Sequence, residues 1–481
     1  MKARIYTHPQ FTIGQIDPKL YGSFIEHLGR AVYGGIYEPT HPTADEDGFR
    51  QDVLELVKQL DTPICRYPGG NFVSNYHWED GIGPKETRPR RLDLAWRSIE
   101  SNQVGIDEFQ AWAKKADTEV MMAVNLGNRG VEDALNCLEY CNLDTDTKYA
   151  ALRRKHGFDQ PFGIRYWCLG NEMDGPWQTG YKSAEDYGRL AHETGKQMKL
   201  MDPDIKLIAC GSSGPGMPTF IDWERTVLER AYNEIDDLSL HSYYKNADGN
   251  PLTYFATCRR MDAFIKTVGA VCDTIKAKKK SKKDILLSFD EWNVWYSHPE
   301  DTQHEWAQAP ALLENVYTFE DALEVGMLLM TLQNNCDRVK MACIAQLVNV
   351  IAPIMTQTGG KAWAQTIFYP FFYASKYGRG TALQTRIDCP TYSTAEFGEV
   401  PFLETSVIQT ENGLVVFAVN RSLDEELELE IEGKPIEHIE LYHDDLKAVN
   451  DADNARVTPA AREIGKKIIL KPHSWNMIRF E

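Results

Sequence analysis

From about residue 19 to residue 375, short apolar runs of β type alternate with longer helical patterns, and this rhythm constrains the chain more than any other feature. Repeated βα units build a parallel sheet with helices packed on its faces. Eight runs fit: Leu20 to Ile25, Pro63 to Tyr67, Glu119 to Asn125, Ile164 to Gly170, Ile205 to Cys210, Leu238 to Tyr243, Ile285 to Phe289 and Met341 to Val348. Several lack polar alternation, as strands buried on both faces do. Eight such units closing on themselves make an α/β fold of the (β/α)8 TIM-barrel type; a doubly wound open sheet is the competing arrangement. The segments between are amphipathic. In 183–201, Tyr187, Leu190, Ala191, Thr194, Met198 and Met201 keep helical spacing, and Ser183 with Asp186 is placed as a capping box.

After Tyr377 the texture changes to strand-like alternation. Leu427, Leu429 and Ile431 interleave with Glu426, Glu428, Glu430 and Glu432, which predicts one buried and one solvated face. Leu414 to Val419, Lys467 to Leu470 and Ser474 to Phe480 are further strands, with turn signals at Glu411-Asn412-Gly413 and Glu432-Gly433-Lys434-Pro435. The expectation is a catalytic barrel over 18–376 and a C-terminal antiparallel β-sandwich over 377–481.

Charge and composition exclude several classes of function. A formal net charge of -18 repels phosphate backbones, so nucleic acid is not an expected partner. The dense basic run Lys276, Lys278, Lys279, Lys280, Lys282 and Lys283 follows a helical pattern, where cations suit the helix C-terminus. The 10 Cys are scattered, and Cys137 with Cys141 has helical rather than metal-ligand spacing, so buried free thiols are expected. No run is long and apolar enough to span a bilayer, and the first residues lack a secretory apolar region. These features predict a soluble cytoplasmic protein with no membrane partner.

In a TIM barrel the chemistry sits where strands end and βα loops begin. The fourth run ends Gly170-Asn171-Glu172-Met173-Asp174 and the seventh Phe289-Asp290-Glu291-Trp292-Asn293, so Glu172 and Glu291 face one another across the mouth. Glycoside hydrolysis needs such a pair: one carboxylic acid protonates the leaving oxygen while the other carboxylate attacks the anomeric carbon. A single strand-end Glu is more often solvated or salt-bridged than catalytic; two of them beside aromatic residues shift the balance. Asn171 is placed to hydrogen-bond a sugar 2-hydroxyl. Arg66 and Tyr243, if they reach Glu291, favour its ionised form, whereas a less polar setting is expected around Glu172. Trp96, Trp177 and Trp295 lie in loops, where sugar stacking competes with core packing. His241 has no partner at metal-ligand spacing, so a hydrogen-bonding role is expected and no metal is predicted. Glu26-His27 is either a structural pair or an acidic group offered to sugar hydroxyls. Gly211 to Gly216 carries a Pro and no following Lys, unlike a phosphate-binding loop.

At these residues the sequence resembles the family 51 glycoside hydrolases, the retaining α-L-arabinofuranosidases. The resemblance runs through Tyr21 to Arg30, Arg66 to Phe72, Gly170 to Gln178, Asp290 to Tyr296, Ala345 to Val350 and Gln365 to Pro370. It implies Glu172 as acid/base and Glu291 as nucleophile, with Glu26, Asn71, Asn171, Tyr243 and Gln346 binding the arabinofuranose. It further implies that Trp295 walls the sugar, that Arg66 and His241 support the carboxylates, that residues 1–17 complete the sandwich, and that no cofactor is needed. A homo-oligomer, commonly a hexamer in that family, is the implied assembly. Asn128 and Tyr181 stand where the family pattern has Thr and His, which puts linkage preference in doubt rather than reaction type. Two rivals remain: another retaining glycosidase of this architecture, a xylosidase or endo-β-glucanase, and a catalytically silent sugar-binding protein.

Overall fold

A computed structural model describes residues 1–298, 301 and 304–481. Two strands, β1 (Lys2–Tyr6) and β2 (Thr12–Gln15), precede the barrel. The barrel strands are β3 (Gly22–Phe24), β4 (Ile64–Tyr67), β5 (Glu119–Val124), β6 (Tyr166–Leu169), β7 (Lys206–Ala209), β8 (Asp237–Tyr244), β9 (Leu286–Val294) and β10 (Val339–Ile344). All pair in parallel and in sequence order, and β10 returns to β3 with Cys343 opposite Gly22. Closure leaves no sheet edge, which rules out the doubly wound alternative. Every residue of β4 and β6 is buried, the physical reason their sequences show no alternation. The first strand is shorter than expected because Pro18–Tyr21 forms a 3-10 turn, with Asp17 accepting the Lys19 N–H.

A principal helix follows each barrel strand: α1 (Gln51–Leu60), α2 (Ile106–Ala116), α3 (Val131–Asn142), α4 (Ala184–Met201), α5 (Asp222–Ala231), α6 (Cys258–Lys279), α7 (Phe319–Asn334) and α8 (Phe368–Tyr377), with shorter helices at Lys148–Lys155 and Pro251–Tyr254. In α4 the buried Tyr187, Ala191, Thr194 and Met198 form one face. Ser183 Oγ accepts the Asp186 N–H at 3.1 Å, but the Asp186 carboxylate takes the Ser183 hydroxyl instead of its backbone N–H, so only half of the expected capping box forms. The basic run ends α6, where Lys280 takes the left-handed conformation at φ 53°. Helix α7 is buried on nearly all sides because it lies between the barrel and the sandwich. Its Gly326 is obligatory: a Cβ there would lie 2.4 Å from Cδ1 of Trp475.

The sandwich contains β11 (Thr381–Leu383), β12 (Arg386–Asp388), β13 (Leu403–Thr410), β14 (Gly413–Asn420), β15 (Leu427–Glu430), β16 (Pro435–Leu441), β17 (Ala460–Ala461), β18 (Ile468–Leu470) and β19 (Ser474–Phe480). One sheet has the order β2-β11-β13-β14-β19-β16-β17 and the other β12-β1-β15-β18. Pairing is antiparallel except that β1 runs parallel to β15, with Ala3 opposite Leu429. Ala3 and Ile5 enter the same apolar core as Leu427, Leu429 and Leu470. The sequence pattern misses β13 because its inward positions include hydroxyls: Ser406 bonds Gln333 of α7, and Thr405 bonds the Phe417 carbonyl at 2.7 Å. All ten cysteines are free, nine of them buried; Cys389, on the sandwich side, is only half-buried. No helix among the described residues is long and apolar enough to cross a membrane.

Candidate active site

Successive side chains on a strand alternate faces, so Asp290 and Glu291 would ordinarily point in opposite directions. A bulge in β9 prevents this. Ser288 pairs with Ser239 but Glu291 pairs with His241, one extra residue on β9, and the same excess shows against β10 between Phe289 and Trp292. Both carboxylates consequently reach the same two residues. Glu291 Oε1 accepts from Arg66 at 2.6 Å and its Oε2 lies 3.6 Å from His241 Nδ1, while Asp290 lies 3.1 Å from His241 Nε2 and 3.6 Å from Arg66 Nε. Tyr243 donates its hydroxyl to Glu291 Oε2 at 2.7 Å. Arg66 and Tyr243, from β4 and β8, thus meet Glu291 as expected, and Arg66 also donates to Asn171 Oδ1 at 2.6 Å. The surrounding carboxylates outweigh burial at Arg66 and hold its guanidinium well above the usual range.

Glu172 is presented differently. The chain leaves β6 through Gly170 at φ 88° and Glu172 at φ 43°, a left-handed conformation that a non-glycine residue adopts only when its surroundings hold it there. His241 Nδ1 lies 2.9 Å from Oε1 and the Trp177 indole N–H donates to Oε2 at 2.7 Å. The less polar setting expected around Glu172 is therefore absent: each glutamate has a donor on each oxygen. Ligand atoms of Glu172, His241 and Glu291 all lie within 4.8 Å of one another. Folding thus gives His241 the carboxylate neighbours that sequence spacing did not reveal. Burial lowers the tendency of His241 to hold a proton, but the Glu291 charge and the bonds to Asp290 and Glu172 override it and raise its pKa to about 10. An imidazolium beside a guanidinium is a poor cation ligand, and the cluster is better suited to moving a proton than to holding a metal.

A second group closes the other side of the mouth. Glu26, just past β3, accepts from the Phe72 N–H at 2.8 Å and the Trp96 indole at 2.9 Å on Oε1, and from Gln346 at 3.3 Å on Oε2. Burial, only partly offset by these donors, pushes Glu26 up to about 8. Gly70 makes the packing possible, since a Cβ there would stand 2.6 Å from Glu26 Oε2. Asp93 fixes the Trp96 loop by accepting from the Ala95 and Trp96 N–H groups. His27 parts from Glu26: it bonds Glu100 at 2.9 Å and Tyr67 at 2.8 Å inside the protein, so Glu26 alone faces the mouth.

Asn71 and Asn171 meet directly, the Asn171 amide donating to Asn71 Oδ1 at 3.2 Å. Trp295 packs edge-on against Tyr243 with centroids 5.2 Å apart. Trp177 is 54% exposed, which places its ring at the opening while its N–H reaches inward. Asn128 ties this rim together through Asn125 and Asn75, and Gly127 and Gly180 beside Asn128 and Tyr181 pack backbone to backbone. The two departures from the family pattern therefore neighbour one another. Sequence reasoning missed Asp290, because period-two alternation assigns it to the outer face, and Gln178, which bonds the Asn71 carbonyl at 3.4 Å.

Residues 56–262 match the α-L-arabinofuranosidase 1 domain and residues 290–474 the α-L-arabinofuranosidase C-terminal domain. The intracellular exo-α-(1→5)-L-arabinofuranosidase 1 of Bacillus subtilis is 54% identical over 100% of this chain and 99% of its own length. The chain belongs to the family 51 α-L-arabinofuranosidases. This arabinofuranosidase shares 45% identity and a TM-score of 0.95 with the solved family 51 enzyme of Bifidobacterium longum, covering 100% of this chain and 99% of that one. The α-L-arabinofuranosidase of Thermotoga maritima, solved as an arabinose complex, is 34% identical with a TM-score of 0.89, over 99% of both chains. The chain is accordingly a glycoside hydrolase, and the xylosidase, glucanase and silent-binder alternatives give way.

Proposed function

We propose that the enzyme removes terminal α-L-arabinofuranosyl residues from arabino-oligosaccharides and from arabinan or arabinoxylan fragments, with Glu291 as nucleophile and Glu172 as acid/base. The observation that carries this reading is the spacing: one oxygen of Glu172 and one of Glu291 lie within 4.8 Å, which fits the close carboxyl pair of a retaining enzyme better than the wider gap of an inverting one. In the first displacement Glu291, oriented by Arg66 and Tyr243, bonds the anomeric carbon as Glu172 protonates the departing oxygen. In the second, Glu172 takes a proton from the water that opens the ester. Glu26, Gln346, Asn71 and Asn171 supply polar groups for the ring hydroxyls, and Trp295 and Trp96 wall the furanose. Trp177 faces the leaving group.

Relatives named for α-(1→5) activity at 54% identity favour that linkage, and a Bifidobacterium longum relative named exo-α-(1→6)-L-arabinofuranosidase, 48% identical, supplies the competing one. The same relatives, named intracellular, support a cytoplasmic enzyme. Activity is expected without added metal, and a homo-oligomer is expected in solution. The deciding experiment is hydrolysis of α-1,5-arabinobiose followed by NMR from the first minutes. Arabinose that initially keeps the α configuration supports the assignment; inverted product, or no release from either linkage, sinks it.

A further inference from the structure

Asp290 lies behind both glutamates, and the roles above leave it without one. It is 1% exposed, and its two oxygens face His241 Nε2 at 3.1 Å and Arg66 Nε at 3.6 Å, with the Cys168 thiol at 3.8 Å. The other nitrogen of the same imidazole, Nδ1, lies 2.9 Å from Glu172 Oε1. Asp290, His241 and Glu172 thus form a line that starts in the barrel interior and ends on the acid/base. An ionised carboxylate can only accept, so Asp290 keeps a hydrogen on Nε2 whatever the charge of the ring. Nδ1 is then the position at which His241 can exchange a proton with Glu172.

We propose that Asp290 is a positioning residue whose hold on the Nε2 hydrogen of His241 leaves a single proton shared between His241 Nδ1 and Glu172 Oε1, and that this proton is the one the departing sugar oxygen receives. The inference rests on the two-glutamate reading. In the free enzyme Glu291 is an anion and the Glu172–His241 pair holds one exchangeable proton. As the Glu291 oxygen bonds the anomeric carbon and the glycosidic bond breaks, that proton passes to the leaving oxygen, so the glycosyl-enzyme has a neutral ester, a Glu172 carboxylate and an imidazole still bonded to Asp290. Water then bonds the anomeric carbon, the ester bond opens and returns its electron pair to Glu291, and the proton lost by water refills the pair. Loss of the Glu291 charge in the intermediate also removes an attraction that holds the proton, so the pair is empty when a base is required.

Among the described residues, the charged and titratable groups around His241 are Glu172 from the loop after β6, Asp290 and Glu291 from β9, and Arg66 from β4 and Tyr243 from its own strand, which bond the same carboxylates. Of these only Asp290 bonds Nε2. Replacing it by Asn removes the charge and permits the amide to donate to Nε2, which favours the opposite tautomer: the one hydrogen of the neutral ring then sits on Nδ1 and cannot leave without forming an imidazolate, so the pair has no proton to give to the departing oxygen.

The test is the pH dependence of kcat/KM for Asp290→Asn on two substrates, 4-nitrophenyl α-L-arabinofuranoside and α-1,5-arabinobiose. Because kcat/KM reports steps only through the first displacement, the expected result is an alkaline limb moved down by about one pH unit or more. The loss on arabinobiose, whose leaving group needs the proton, should exceed that on the aryl glycoside by about tenfold. Asp290→Glu should recover part of both effects, and His241→Gln should show the same leaving-group bias. Equal losses on the two substrates with an unmoved limb would mean that Asp290 only packs the barrel. If Asp290→Asn does not fold, His241→Gln decides: without a leaving-group bias the proposal fails. Product configuration from the unmodified enzyme tests the two-glutamate reading by itself, so retained product with an unmoved limb sinks only the shared proton.

Discussion

The two glutamates come from opposite kinds of chain. Glu291 lies inside a strand, 6% exposed, where the β9 bulge and bonds from Arg66 and Tyr243 leave it no freedom. Glu172 lies past the end of β6 in left-handed backbone, and one of its two partners is the most solvent-exposed tryptophan of the mouth. The difference fits the roles proposed for the two carboxylates. A nucleophile works through a fixed distance to one carbon, so rigidity lowers its barrier. An acid/base must meet leaving groups of many shapes and then water, so it belongs at the opening.

Four changes test this contrast. The largest effect is expected for Glu291→Ala, which removes the covalent route for every substrate: a loss on the order of 10⁴-fold or more, with azide giving a product of inverted configuration. A retained azide product would exchange the two roles. Glu172→Ala should depend on the substrate instead. An activated aryl arabinofuranoside should give a burst and then stall, arabinobiose should lose about 10³-fold, and azide should restore turnover with retained configuration. Uniform losses on both substrates would remove the distinction between rigid and open carboxylates.

The two donors sharpen it further. Tyr243→Phe deletes a buried bond to Glu291 and should lower kcat/KM about 10²-fold on both substrates alike. Trp177→Phe deletes an exposed bond to Glu172 and should cost about tenfold, chiefly on arabinobiose. Steady-state kinetics on the pair of substrates separates the two patterns.

The smallest effect on activity is expected where neither glutamate is touched. Burial raises Glu324 of α7 to about 8, although Thr257 donates to it at 2.7 Å. Its unfolded value is 4.5, so the folded state binds the proton more tightly, and stability falls as pH rises from about 4.5 to about 8. Glu324→Gln has no proton to lose. Its melting temperature relative to the unmodified enzyme should therefore climb across that window, by the equivalent of about one to a few kcal/mol, with kcat unchanged. A constant difference between pH 5 and pH 8 would show that Glu324 is not neutral in the folded protein.

Most of the barrel was legible in the sequence because each parallel strand carries its own evidence: a buried run such as Tyr166–Leu169 is apolar in whatever order the strands assemble. The same holds for Leu427 and Leu429, whose glutamate neighbours mark the solvated face. Strand β13 was not legible, because Thr405 and Ser406 are buried by bonds to residues far along the chain. The two glutamates proposed as catalytic could be read from the ends of the apolar runs, and the long resemblance to family 51 assigned them the same roles.

By itself the sequence determined the βα rhythm, the placing of Glu172 just past the fourth strand and of Glu291 in the last residues of the seventh, and the polar and aromatic residues around them, since these are properties of short segments. Only the tertiary structure decided that β9 bulges, that Asp290 turns inward with Glu291, and that His241 bridges Asp290 to Glu172. A one-residue bulge is a mismatch between two strands rather than a property of either one, so no single segment can encode it. The identity of the reacting groups is local; which proton each of them holds depends on neighbours that only closure of the barrel brings within 4.8 Å.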